Sequence, residues 1–263
     1  MEIPFCKFDG AGNDFVVIDN RNNEYTLTQE QIARMCHRRF GIGADGLMTL
    51  EGADSSACCF DFEMKYYNSD GRLGSMCGNG GRCIAAFAHL LGLGCDLHFL
   101  GYDGPHDAHI LQWDETARRG MVKLGMRSVA KKEVRKVLDG YFIDTGSPHY
   151  VQQVVGLSDY DVFGEGRRLR YRADLFSEGT NVDFIETMPD GRLAVRTYER
   201  GVEDETWACG TGVTACALVT GNRSLVARGG DFNVDFESTD EAFEKVFLTG
   251  PVALDFTGVW RTA

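Results

Sequence analysis

Two cysteines carry the chemistry this sequence offers. Cys77 opens a Cys-Gly-Asn-Gly run and Cys209 a Cys-Gly-Thr-Gly run, each between an extended-looking stretch and an apolar segment of helical length. Glycines there leave successive backbone N–H groups bare and able to converge on an anion. A helix N-terminus adds partial positive charge, which favours a carboxylate or a thiolate. A free thiol titrates near about 8.5, and such a position can draw it down by roughly one unit or more. Each turn therefore sets a reactive sulfur beside a carboxylate cradle. Two such turns facing each other across a domain cleft would grip one carboxylate and place a sulfur on each face of the neighbouring carbon. That arrangement suits two-base stereoinversion, with one thiolate removing the α-proton and the opposite thiol delivering a proton to the other face. The plainer reading, glycines that merely let helix and sheet pack closely around a buried cysteine, loses ground because the motif occurs twice.

The repetition extends beyond the motif. Tyr66 and Tyr198 each fall 11 residues ahead of their cysteine, and the cysteines are 132 residues apart, half of the 263-residue chain. Upstream, Gly-Ala-Gly-Asn13 lies 64 residues before Cys77, and Thr-Gly-Ser147 lies 62 before Cys209. Matches in one order at nearly one offset imply two similar domains, here drawn as 1–118 with Cys77 and 119–263 with Cys209.

The elements that must position the cysteines follow from pattern. Residues 2–8, 14–19, 46–51 and 58–67 read as strands, and Thr28-x-x-Gln31 is a capping box opening a helix to about residue 37. Residues 78 to about 91 form an Ala- and Leu-rich helix stopped at Gly92. In the second half 121–126, 140–144, 149–155, 182–187 and 193–199 read as strands, and 210–220 as a helix ended by Gly221. The class is mixed α/β (α+β).

Composition narrows the partners. The chain is 43% hydrophobic and 25% charged, ordinary for a globular protein. Its net charge of −12 disfavours nucleic acid and anionic membranes. No apolar run approaches the roughly 20 residues of a membrane span. The nine cysteines are odd in number and show no Cys-x-x-Cys spacing. Reduced thiols in the cytoplasm are expected, and no metal site. Cys6, Cys36, Cys58, Cys59, Cys83, Cys95 and Cys216 are read as core-facing. Gly41-Ile-Gly43-Ala-Asp-Gly46 fits the dinucleotide-binding fingerprint, but a helix precedes it and a strand follows, the reverse of what that site needs.

At this point the sequence resembles the diaminopimelate epimerase family. The similarity runs in order through Phe8-Asp-Gly-Ala-Gly-Asn-Asp-Phe, Arg39-Phe-Gly-Ile-Gly-Ala-Asp-Gly-Leu, Tyr67-Asn-Ser-Asp-Gly, Met76-Cys-Gly-Asn-Gly-Gly-Arg-Cys, Gly146-Ser-Pro-His, Gly179-Thr-Asn-Val-Asp-Phe, Tyr198-Glu-Arg-Gly and Ala208-Cys-Gly-Thr-Gly. It implies an isomerase of lysine and cell-wall precursor synthesis that interconverts LL- and meso-diaminopimelate without a cofactor. It also implies two pseudo-symmetric domains, each a mixed or antiparallel sheet around a central helix, with the active site in the cleft between them, usually in a homodimer. By the same resemblance Cys77 and Cys209 are the acid–base pair, with His149 and Glu199 beside them. The backbones of Gly78, Asn79, Gly210 and Thr211 hold the reacting carboxylate, and Asn13, Asn68, Asn181, Glu199 and Arg200 read the small amino-acid substrate. An arginine can meet a carboxylate with two hydrogen bonds and a glutamate can accept from an ammonium, so these assignments are chemically sound. The chain departs from the pattern at Gly46 and Ser147, where some members carry glutamine and asparagine. A racemase of the same fold acting on another amino acid is the nearest alternative. A thiol–disulfide redox protein and a pure amino-acid-binding module are the rivals of other classes.

Overall fold

The computed structural model describes residues 2–53, 59–74 and 77–261. The chain forms two compact units, residues 1–124 with 251–263, and residues 125–250. Among the described residues no helix is long and apolar enough to cross a membrane.

In the first unit the strands are β1 (Glu2–Asp9), β2 (Asp14–Asn20), β3 (Gly46–Gly52), β4 (Phe62–Asn68), β5 (Asp96–Gly101), β6 (Gly104–Asp114) and β7 (Arg119–Gly125), with helices α1 (Gln29–Cys36) and α2 (Gly78–Leu90). Pairing is antiparallel for β1–β2, parallel for β2–β3, antiparallel for β3–β4 and parallel for β4–β5. It is then antiparallel for β5–β6 and β6–β7. Side chains alternate across a strand, so Phe15, Gly46 and Asn68, abreast in neighbouring strands, share a face with Met48 and Tyr66 one pair further on. That face meets α2. The helix is buried from Gly78 to Ala88 and takes Asn79 and Arg82 inside with its apolar residues.

In the second unit β8 (Val129–Ala130), β9 (Arg135–Val137), β10 (Gly140–Asp144), β11 (Pro148–Gln153), β12 (Asn181–Thr187), β13 (Leu193–Glu199), β14 (Asp204–Thr206), β15 (Ser224–Ala227), β16 (Gly230–Ser238) and β17 (Ala242–Arg261) accompany α3 (Val162–Arg170) and α4 (Gly210–Thr220). From β10 the order of pairings repeats: β10–β11 antiparallel, β11–β12 parallel, β12–β13 antiparallel, β13–β15 parallel, then β15–β16 and β16–β17 antiparallel. Here α4 is the buried helix, touching β10 to β13, β15 and β16. The repeat seen in the sequence is thus a repeat of topology. It equates Phe15 with His149, Gly46 with Asn181 and Met48 with Asp183, and it pairs Tyr66 with Thr197, one residue off the Tyr66–Tyr198 match read from the sequence.

Several expectations meet the structure closely. Thr28 caps α1 with both halves of the box made, the cysteine helices start at Gly78 and Gly210, and Gly41 to Gly46 lies between α1 and β3. The domain cut differs. It falls after Leu124 rather than at 118–119, and the end of β17 returns to the first unit. There its residues 253–261 run antiparallel to β1, Glu2 opposite Arg261. No local signal marks a ladder joining residues this far apart in sequence. The β5–β6 hairpin, α3 and the strands from β14 onward lie outside the sequence-based expectations.

Behind β1 and β2 an ion network fixes the loop that carries Asn13. Asp14 receives Lys7 Nζ at 2.6 Å and Arg38 at 2.8 and 3.1 Å, Arg38 also reaches Asp45 at 2.6 Å, and Asp45 accepts from Asn13 Nδ2 at 2.7 Å. Burial pushes the Asp14 carboxyl up, but the hydrogen bonds and charges of Arg38 and Lys7 outweigh it and hold it at about 2, from 3.8. A depressed carboxyl adds stability above its unfolded value and loses it as the pH falls through the folded one. Asp14→Asn is therefore expected to cost about 1–2 kcal/mol in urea melts at pH 7, a figure reduced because the Arg38 side chain is 59% exposed. The deficit against the parent should shrink as the pH drops from about 4 towards 2.

Candidate active site

Each cysteine is the extended residue immediately before its buried helix, Cys77 with φ −112° and Cys209 with φ −109°. The first helical hydrogen bonds run from Gly81 N–H to Cys77 O at 2.7 Å and from Val213 N–H to Cys209 O at 2.8 Å. The amides of the preceding turn have no acceptor within the helix, and they lie beside the sulfur, where the Gly212 N–H bears on Cys209. Each unit thus has a helix N-terminus directly after its cysteine, where the sequence places one.

The second glycine of each motif is there for close approach. A Cβ at Gly80 would sit 3.1 Å from Met48 Sδ and 3.6 Å from Phe15 Cζ. One at Gly212 would lie inside the contact distance of Asp183 Oδ1 and 3.1 Å from His149 Cε1. The packing reading of these glycines is therefore also correct. They bring the strand face directly under the turn that holds the cysteine.

What lies under the turn differs between units. In the first unit Cys77 Sγ–H donates to Asn13 Oδ1 at 3.5 Å, which also accepts from Asn79 Nδ2 at 3.4 Å. Arg82, fully buried one turn along α2, donates to Asn79 Oδ1 at 3.0 Å and Gly78 O at 3.3 Å. Apolar Phe15 and Met48 complete the floor.

In the second unit the floor is a buried polar chain. His149 and Asp183, both without solvent exposure, meet Nδ1 to Oδ2 at 2.7 Å. Asp183 Oδ1 accepts from Thr197 Oγ1 at 2.7 Å. His149 Nε2 lies 2.9 Å from Thr211 Oγ1 and 3.0 Å from Ser147 Oγ. Thr211 Oγ1 in turn lies 3.3 Å from Cys209 Sγ. Asn181 donates to Pro148 O at 2.8 Å and Ser147 Oγ at 3.3 Å, and accepts from Arg200 N at 2.8 Å. Thr145 Oγ1 donates to Thr211 O at 2.9 Å.

Of the residues singled out in the sequence, Asn13, Gly78 and Asn79 gather around Cys77, while His149, Asn181, Gly210 and Thr211 gather around Cys209. Asn68 is exposed at the end of β4, the half-buried Glu199 ends β13, and the half-buried Arg200 follows it in a turn. Asn181 spends both amide hydrogens inside the protein, so only its oxygen retains capacity for a ligand. The Arg200 guanidinium donates to Glu178 O at 3.2 Å. Asp183, Thr197 and Arg82 were not singled out. Asp183 was within reach, because it follows Asn181 by two on one strand and so shares its face.

Two expectations are corrected. The Cys209 thiol is pushed well above its ordinary value rather than drawn down. Burial is the main cause, the Glu199 and Asp183 charges add to it, and the Thr211 hydroxyl and Gly212 N–H pull only weakly the other way. The helix end loses to desolvation and two carboxylates. Nor are all the other cysteines core-facing: Cys59 and Cys95 are exposed in turns and Cys6 is half-buried. Cys36, Cys83 and Cys216 are buried, with burial pushing Cys36 up to about 12. Cys58 and Met76 lie outside the described residues. Among those residues no cluster of His, Cys, Asp or Glu could hold a metal ion. A cavity of about 370 Å³ in the second unit is lined by Gly140, Tyr141, Val151, Leu193 and Val219 among others, and shares no residue with the Cys209 network.

These features define first a class, that of repeated α+β units each carrying a cysteine before a buried helix. A solved structure of a probable proline racemase from Agrobacterium radiobacter has this fold, with a TM-score of 0.70, 14% identity, and 99% of this chain and 93% of that one covered. At that identity the likeness shows the fold alone. The family model described as Diaminopimelate epimerase matches residues 5–101 and 141–245. Proteins named diaminopimelate epimerase from Flavobacterium psychrophilum and Chlorobaculum tepidum are each 41% identical, over 95% of this chain and 97% and 98% of theirs. The chain belongs to the diaminopimelate epimerase family.

The glycine at position 46 is explained by its neighbours. A Cβ there would lie 2.5 Å from Tyr66 Cε2 and 2.7 Å from the Tyr67 carbonyl oxygen. The Tyr66 ring, edge-on to Phe15 with centroids 6.1 Å apart, occupies the space. Because the second clash is with backbone, Gly46→Ala is expected to destabilise the protein by about 1–3 kcal/mol in urea melts.

Proposed function

We propose that the protein interconverts LL- and meso-diaminopimelate by two-base proton transfer, with Cys77 and Cys209 as the two bases acting on one α-carbon. The observation that carries this is the repeat: two cysteines at equivalent positions, each directly before the N-terminus of a buried helix, in a chain of this family. One cysteine enters as thiolate and takes the α-proton, and the other enters as thiol and gives its proton to the opposite face. Each turnover leaves the charges exchanged, ready for the reverse reaction.

Removing a proton from a carbon that bears an ammonium and a carboxylate is difficult without an electron sink. The amides of Gly78, Asn79, Gly210 and Thr211 would supply fixed dipoles for the charge developing on the carboxylate, and those dipoles gain strength where water is excluded. Asn13, Asn68, Asn181, Glu199 and Arg200 would bind the rest of the substrate. Arg200 suits the distal carboxylate and Glu199 an ammonium. His149 and Glu199 would act as proton partners of the cysteines. The reaction so written requires no cofactor. The reading includes a cytoplasmic homodimer, for which light scattering should give twice 29.1 kDa.

Incubation with LL-diaminopimelate in heavy water is expected to give meso product deuterated at the inverted α-carbon. Cys77→Ala and Cys209→Ala should each lower turnover by about 10³-fold or more, while substrate still binds. Near-normal epimerisation by either variant would overturn the two-base reading. Exchange of proline but not of diaminopimelate would place the chain among racemases of other amino acids.

A further inference from the structure

We infer that Thr211, His149 and Asp183 form a proton relay that controls the charge on Cys209, with Asp183 as the positioning residue at its end. The inference rests on the proposed role of Cys209 as a base. It adds the route by which a buried thiol with two carboxylates nearby could ever become a thiolate.

One donor assignment carries a proton the length of the chain, with Ser147 Oγ, 3.0 Å from both His149 Nε2 and Thr211 Oγ1, as the competing hydroxyl. Asp183 is buried and accepts at both oxygens, from Thr197 Oγ1 at 2.7 Å and from His149 Nδ1 at 2.7 Å. A carboxylate offers no proton, so Nδ1 carries the hydrogen and Nε2 of the neutral ring is left as an acceptor. Thr211 Oγ1 stands 2.9 Å from that nitrogen and 3.3 Å from Cys209 Sγ. Proton movement then balances in one concerted step. The Cys209 S–H proton passes to Thr211 Oγ1 while the Thr211 hydroxyl proton passes to His149 Nε2, leaving a thiolate and an imidazolium. The imidazolium is paired with Asp183, and the reverse step restores both neutral groups.

The surroundings of Cys209 call for such a partner. The charged groups that act on it are Glu199 of β13 and Asp183 of β12, both carboxylates, and Cys216 lies further along α4. A cation formed on His149 supplies the missing opposite sign. Gly212 keeps the space above the His149–Asp183 pair open. The first unit has Phe15, Met48 and Tyr66 at the positions of His149, Asp183 and Thr197, so the relay belongs to Cys209 alone of the two cysteines.

Asp183→Asn gives a test whose sign separates two roles. If Asp183 acted on the sulfur only as a nearby negative charge, its removal would release the thiol and speed alkylation. If it acts through the imidazole, removal strands the proton and slows alkylation. Iodoacetamide labelling of the whole protein at pH 7.5, read peptide by peptide, is expected to show Cys209 slowed about tenfold in Asp183→Asn, one pKa unit's worth. Cys77 should stay within about twofold of the parent, the ordinary reach of a remote substitution. Thr211→Val should slow Cys209 comparably and Thr211→Ser should restore it. Labelling of Cys83 and Cys216 would reveal an unfolded Asp183→Asn protein, and the Thr211 pair then decides. Unchanged or faster labelling of Cys209 in folded Asp183→Asn, or parental labelling in Thr211→Val, overturns the relay. No substrate enters this experiment, so it can fail while deuterium exchange succeeds, or the reverse.

Discussion

Burying a helix on every side leaves its N-terminal turn as a polar point that the fold must answer for. Both α2 and α4 are wrapped by strands, and their first amides have no acceptor within the helix. In this protein each turn is preceded by a cysteine. The sulfur therefore stands beside those amides, and at Cys209 the Gly212 N–H bears on it. Everything chemical in the molecule depends on that helix end.

The strand face beneath the turn decides what kind of sulfur results. Under Cys77 it offers apolar side chains and a neutral amide network anchored on buried Arg82. Under Cys209 it offers a hydroxyl, an imidazole and a carboxylate in sequence. Equivalent positions in a repeated topology have taken opposite chemical characters, Phe15 against His149 and Met48 against Asp183. Duplication supplied two similar scaffolds, and residues on the paired strands β2 and β3, and β11 and β12, made them unlike.

A buried network of this kind is stable only when every polar atom has a partner. Around Cys209 this holds for the named groups. Asp183 is satisfied by Thr197 and His149, Asn181 by Pro148, Ser147 and Arg200, and Thr145 reaches the backbone of the α4 turn. The same commitment limits which atoms remain for a ligand, so the amides and hydroxyls at the mouth of each turn carry more of the recognition than the buried carboxamide of Asn181.

The sequence alone determined the two cysteines, their glycines, the helices that follow and the repeat, because these rest on local spacing: a capping box at Thr28, an apolar helix stopped by glycine, a motif written twice 132 residues apart. It also brought out His149, Asn181, Glu199 and Arg200 by resemblance. Tertiary structure alone decided the rest. Asp183 becomes a partner of His149 only when β11 and β12 pair in parallel and place them on one face. Tyr66 fills the space over Gly46 only when β3 and β4 are in register. The Cys209 thiol rises rather than falls because desolvation is a property of the packed interior, which no local motif encodes. The last strand joins the first unit through a ladder between the two ends of the chain, and contacts that distant in sequence leave no periodicity to read.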